Sequence, residues 1–142
     1  MILTLSILDK NKASWSLIDR GQAKFSLAFS FETGTDQTLF YLDKFLQKHK
    51  VKLSQVTGIV LLVKEAGLTS VKIFTVITNV LAWQLNVPVV GKFYFKEAED
   101  KVLAGLLAKL RNTKKFKPLK VNYQRKAEIT ISKKLQKFVI QR

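Results

Sequence analysis

The sequence predicts an α/β domain built on a mixed five-stranded sheet, a three-stranded antiparallel meander plus parallel strands, with helices packed on it. Three observations carry this reading. Leu3, Leu5 and Ile7, then Trp15 and Leu17, then Phe25, Leu27, Phe29 and Phe31 fall on alternate positions in three runs separated only by short turns. Alternation at period two marks a strand, and short turns between such runs join antiparallel neighbours. Ile59-Val60-Leu61-Leu62-Val63 is instead continuously apolar and β-branched, as in a strand covered on both faces. It is followed by one long helical pattern and then by Val89-Val90-Gly91-Lys92-Phe93-Tyr94-Phe95, and a strand, helix and strand in succession imply parallel pairing.

Taken in order, Asp9-Lys10-Asn11-Lys12 and Asp19-Arg20-Gly21-Gln22 are the turns of the meander. Gly34-Thr35-Asp36 supplies a cap for a helix from about Gln37 to Lys48, whose apolar face is Leu39, Leu42, Phe45 and Leu46, widened by Phe40 and Tyr41. His49 at its end reads as a surface residue compatible with the helix dipole. The central helix runs over 69–86, capped by Thr69 or Ser70 and ended by Asn86-Val87-Pro88.

That helix carries two apolar seams at 100° per residue: Phe74, Ile77, Leu81 and Leu85 on one, Ile73, Val76, Val80 and Trp83 on the other. Lys72, Thr75, Asn79 and Asn86 leave only a polar wedge. A helix this apolar is buried on more than one side. One seam suits the chain's own sheet; the other is covered either by the chain's own helices or by a partner. A third helix opens with Glu97, Glu99 and Asp100 and closes with Lys109 and Arg111, in accord with the macrodipole at both ends, around a stripe of Val102, Leu103, Leu106, Leu107 and Leu110. Residues 112–120 form a basic linker. Ile129 and Ile131 suggest a short final strand, and Leu135, Phe138 and Val139 a turn of amphipathic helix.

At 142 residues the chain is long enough for one domain with a real core. The absence of cysteine removes disulfides and thiolate metal sites and fits a reducing, cytoplasmic setting. The first strand meets Asp9 early with no basic leader, so no signal peptide is expected. Thr78, Asn79, Gln84 and Asn86 interrupt the most apolar stretch, so no membrane span is expected either. The formal net charge of +15 is uneven: residues 1–100 hold 12 Lys/Arg against 9 Asp/Glu, whereas residues 101–142 hold 13 against Glu128 alone. Such asymmetry suits either a polyanion such as RNA or a solvated basic face. One histidine, no cysteine, no metal-ligand cluster and no spaced carboxylate pair argue against an enzyme.

The order of these elements resembles the TsaB (YeaZ) family of tRNA threonylcarbamoyladenosine biosynthesis proteins, within the actin/Hsp70-like ATPase superfamily, from Ile2 to about Phe95. Glu32-Thr33-Gly34-Thr35 stands where the family has a Glu-His-Thr-like segment before its first helix. The stretch from Leu62 to Ile73, reading Leu-Val-Lys-Glu-Ala-Gly-Leu-Thr-Ser-Val-Lys-Ile, stands in place of Gly-x-Gly-Pro-Gly-Ser-Phe-Thr-Gly-Val-Arg-Ile. Leu85-Asn86-Val87-Pro88-Val89-Val90-Gly91 looks like the helix exit x-Pro-Val-x-Gly, and Val121-Asn122-Tyr123-Gln124-Arg125 like a closing Pro-x-Tyr-x-Arg. Ser6 takes the place of the family's Asp after the first strand, and Glu65 stands where the Gly-rich turn has proline. Close backbone approach to a phosphate needs glycine, and a carboxylate there opposes an anion, so no productive ATP binding and no cofactor are expected. Phe74, Val76, Val80 and Gln84 replace helix glycines, which would space any helical interface more widely. The length also falls short of the second lobe of an actin-like cleft.

The resemblance implies a ribonuclease H-like, actin-like single lobe over residues 1–111 and a basic segment over 112–142 whose short strand packs on it. It also implies a non-catalytic subunit that dimerises or docks a TsaD-like catalytic partner through its first two long helices. The interface candidates are Leu39, Leu42, Ile73, Val76, Val80 and Trp83. The alternative is a stand-alone RNA-binding module in which Lys114, Lys115, Lys117, Lys120, Arg125 and Lys126 neutralise phosphates of tRNA while Phe116 or Tyr123 stacks.

Overall fold

The computed structural model of the chain describes residues 1–32 and 37–120. Strands β1 (Ile2–Ile7), β2 (Lys12–Asp19) and β3 (Gln22–Ser30) come first, then helix α1 (Thr38–Lys48). Strand β4 (Gly58–Val63), helix α2 (Leu68–Leu85), strand β5 (Val89–Phe93) and helix α3 (Glu99–Asn112) follow. The sheet order is β3-β2-β1-β4-β5. The meander β1–β3 is antiparallel, while β4 runs parallel to both β1 and β5, with Leu5 opposite Leu61 and Leu61 opposite Gly91. The expected α/β architecture, its mixed five-stranded sheet and its parallel βαβ unit are therefore what the chain forms.

The two faces of the sheet hold two cores. Leu3, Leu5, Ile7, Leu61 and Val63 meet α1 and α2 on one side, and Ile18, Val60, Leu62 and Val90 meet α3 on the other. Every residue of β4 is buried, which is why its sequence lacks the alternation seen in β3. Trp15 ties the layers together: it is fully buried, and its indole Nε1–H donates to the Thr38 carbonyl at 3.0 Å, where α1 begins.

Several element ends differ from expectation. Gly67, not Thr69 or Ser70, is the N-cap of α2, and no side chain caps it; Ser70 is instead buried within the first turn. At the other end Asn86 takes the left-handed conformation (φ 54°), and its N–H and that of Val87 close on the Trp83 and Ala82 carbonyls, so the helix stops before Pro88 as expected. β5 ends at Phe93, and Glu97 precedes α3 rather than opening it. Its carboxylate accepts the Phe95 N–H at 3.0 Å, which holds the Glu97 carboxyl below the usual range. His49 is the C-cap of α1 and lies half-buried, stacked on Phe25 at 3.9 Å and edge-on to Phe45, so it is not the free surface residue expected. At 18 residues α2 is long and apolar enough, by length and composition alone, to cross a membrane. Its polar interruptions therefore do not exclude a span. Its place as the crossover of a parallel pair accounts for that apolarity without one. The cap expected over 34–36, the strand at Ile129 and Ile131 and the turn at Leu135, Phe138 and Val139 lie outside the described residues.

One buried polar atom is left over. Among the described residues Thr4 Oγ1, on the α3 side of β1, has no hydrogen-bond partner, and Thr4 is 2% exposed. A buried unmade hydrogen bond costs about 1–3 kcal/mol, and an apolar group of the same shape avoids that cost. Thr4→Val is therefore expected to raise stability by about 1 kcal/mol, read as a higher denaturant midpoint at unchanged slope.

Candidate functional site

The low polarity of α2 sets up the site. Phe74 and Ile77 pack into the sheet-side core, with Phe31 edge-on to Phe74 at 5.1 Å, and Leu81 and Leu85 lie half-buried at its margin. Thr78, fully buried, donates its hydroxyl back to the Phe74 and Thr75 carbonyls, which satisfies it without leaving the helix. The opposite seam has no such cover. Val76 is 58% exposed, Val80 54% and Trp83 66%, with Ile73 half-buried beside them. On the same side of the sheet α1 adds Leu39 and Phe40, both exposed, with Lys44 Nζ over the Phe40 ring at 4.4 Å. Of the six residues expected to form an interface, five are at least partly exposed. Leu42 is not: it is 3% exposed and belongs to the core with Phe45 and Leu46, because α1 turns that stripe onto the meander.

The expected polar wedge is also placed differently. Thr75 is buried and Asn79 half-buried, because the segment after α3 covers this side of α2. Asn79 grips that segment by both main-chain groups of one residue: its Nδ2 donates to the Leu119 carbonyl at 2.9 Å, and its Oδ1 accepts the Leu119 N–H at 2.7 Å. A side-chain amide pairing with the main chain in this way substitutes for one rung of a strand ladder. Phe116 and Leu119 pack against the α1/α2 core, so residues 113–119 carry the chain from the α3 face to the α2 face. Gly91 makes room for this. A Cβ there would lie 3.1 Å from Leu119 Cδ1 and 3.1 Å from the Leu61 carbonyl oxygen. Lys114, Lys115, Lys117 and Lys120 on this strap are all exposed; Arg125 and Lys126 lie outside the described residues. Lys120 and Lys92 flank a pocket of about 250 Å³ over Leu61, Val63 and Thr75.

At the C-terminal end of β1, Ser6 is 3% exposed and its hydroxyl donates to Glu99 Oε1 at 3.4 Å. Burial pushes the nearby Tyr94 phenol up to about 12 from an ordinary 10.0, and the Glu99 carboxylate adds to the rise. A raised phenol holds stability that is complete below its unfolded value and is lost as pH climbs through its folded one. Stability is therefore expected to fall between about pH 10 and pH 12, a decline that Tyr94→Phe removes. One of the chain's three tyrosines should ionise last in an ultraviolet titration. Beyond β4, Lys64 and Glu65 are exposed in the loop, and Gly67 has a backbone any residue could adopt, with open space where a Cβ would be. Among the described residues no three His, Cys, Asp or Glu side chains come together as a metal-ligand group.

No family model matches the chain, and no curated protein matches it. Solved structures do. YeaZ from Pseudomonas aeruginosa is 25% identical, with a TM-score of 0.55, over 65% of this chain and 43% of its own. An uncharacterised protein with similarity to peptidase YEAZ from Pseudomonas aeruginosa is 24% identical, with a TM-score of 0.56, over 65% of this chain and 42% of its own. The chain thus spans less than half the length of the solved structures it matches. The second likeness shows a shared fold, and the first supports a relation to YeaZ.

Proposed function

We propose that this chain is a YeaZ (TsaB)-like, non-catalytic subunit of the tRNA threonylcarbamoyladenosine machinery, acting as a docking scaffold for a TsaD-like catalytic partner or a second copy of itself. The observation that carries the reading is the uncovered seam of α2. Val76, Val80 and Trp83 are each more than half exposed, on a helix whose opposite seam is core. An exposed aromatic amid aliphatic side chains on a rigid helix is the usual anchor of a protein interface, whereas large apolar patches are unusual on monomers. Covering each large side chain is worth about 1.5–3 kcal/mol before the costs of association.

A non-catalytic role accords with the site chemistry. The chain's one histidine is packed against two phenylalanine rings, and Ser6, near the C-terminal end of β1, is engaged by Glu99. The exposed strap lysines Lys114, Lys115, Lys117 and Lys120 would lie alongside tRNA phosphates in such an assembly. Gel filtration of the chain alone and with a TsaD-like subunit, native and Val76→Asp, tests the reading. The native chain is expected to self-associate or co-elute, and the variant to do neither while remaining folded. Monomers in both cases, with no co-elution, would end it.

A further inference from the structure

We propose that the end of the domain where the parallel strands begin carries a binding pocket for a small amphiphilic anion, a carboxylate or phosphate monoester on a short apolar body. A cavity of about 310 Å³ lies there between the last turn of α3 and the β2–β3 turn. Ile2, Ile18, Leu107 and Leu110 give it apolar walls, and Arg20 and Arg111 supply its charge. No carboxylate lines it, and among the described residues neither guanidinium has an ion-pair or hydrogen-bond partner. The volume is at the lower end for ligand pockets, which limits the apolar body to a short acyl chain or a single ring.

Three features mark the arginines as more than stray surface charge. The chain draws nearly all of its 25 basic residues from lysine. Its arginines are Arg20, Arg111, Arg125 and Arg142, and the two among the described residues both line this one pocket. Lysine would serve solubility equally well, but the planar guanidinium fork is what matches the paired oxygens of a carboxylate or phosphate. The backbone also spends stability on the placement. Arg20 sits at φ 55° and Gly21 at φ 79° in a two-residue hairpin turn, where asparagine, aspartate or glycine is usual and a longer L-residue costs about 1–2 kcal/mol. Arg111 is brought to the rim because α3 settles directly on β4. A Cβ at Gly58 would lie 2.6 Å from Leu110 Cδ2, so glycine at that position lets the Leu110 side chain lie directly on the strand, and a larger residue would make that side chain shift. The pocket is remote from the uncovered seam of α2, on the other face of the sheet, and does not depend on the docking reading.

Titration of the full chain, labelled with ¹⁵N at arginine, against octanoate, phenyl phosphate and inorganic phosphate separates the cases. Saturable shifts of the Arg20 and Arg111 Nε signals are expected with octanoate, phenyl phosphate or both, and the one that binds tighter identifies the head group. Affinity should fall about tenfold in Arg20→Gln and in Arg111→Gln and be unchanged in Lys10→Gln, which removes the same charge from the exposed turn after β1. Arg20→Lys, which keeps charge but loses the fork, should also weaken binding. Shifts that do not saturate, equal affinity in the double variant Arg20→Gln/Arg111→Gln, or inorganic phosphate binding as tightly as phenyl phosphate would each overturn the proposal.

Discussion

Trp15→Ala is expected to destabilise the fold by about 3–5 kcal/mol, the range for truncating a large buried aromatic, and so to bring a marginally stable domain close to unfolding at room temperature. The size of the effect follows from its position. Trp15 is 0% exposed in the middle of β2, paired across the sheet with Leu5 on one side and Leu27 on the other. Its removal opens a cavity between the meander and α1, and β-sheet neighbours held by ladder hydrogen bonds cannot collapse to fill it. A second loss adds to the first. The Thr38 carbonyl accepts the indole N–H, so the substitution also removes a buried side-chain hydrogen bond that ties β2 to the start of α1. Trp15→Phe removes this donor while keeping most of the apolar volume, with an expected loss of about 0.5–1.5 kcal/mol for the hydrogen bond. Chemical denaturation of the three proteins, followed by far-ultraviolet circular dichroism, gives both numbers. If Trp15→Ala unfolded at the same midpoint as the native chain, the core described above would be wrong.

Much of this architecture was legible in the residues themselves. The alternation of Phe25, Leu27 and Phe29 and the unbroken Ile59–Val63 run report burial on one face or two directly, because side chains on a strand point to alternate sides. Asn86 and Pro88 mark the end of α2 through local backbone chemistry alone. What periodicity could not decide was which seam of α2 would be left in the open. Both seams are apolar, so the choice is made by what arrives from elsewhere: the sheet takes Phe74 and Ile77, and the strap takes Thr75 and Asn79. The Asn79–Leu119 pairing joins residues 40 apart, and the Arg20–Arg111 pocket joins positions farther apart still. Neither leaves a local signature. Leu42 shows the same limit, since its spacing on α1 suits an interface and a core equally until the meander claims it.

The chain's other tryptophan is the converse of the first, and the seam it sits on predicts the second large effect. Trp83 is 66% exposed, so Trp83→Ala is expected to leave the denaturation midpoint within about 0.5 kcal/mol of native, the usual range for surface changes. Docking should respond very differently. A tryptophan at the centre of an interface commonly costs 2 kcal/mol or more on truncation, which is about a 30-fold loss of affinity for the TsaD-like subunit or the second copy. Val76→Asp should abolish docking outright, since a carboxylate on a covered apolar seam pays for its desolvation without a partner charge. Lys72→Ala, one turn from Val76 and also exposed, serves as the control and should change affinity little. The two tryptophans also make the interface visible. In Trp15→Phe the remaining emission comes from Trp83, and it should shift to shorter wavelength on docking as water leaves the indole. Emission unmoved by a partner that nonetheless binds would place the docking surface somewhere other than α2.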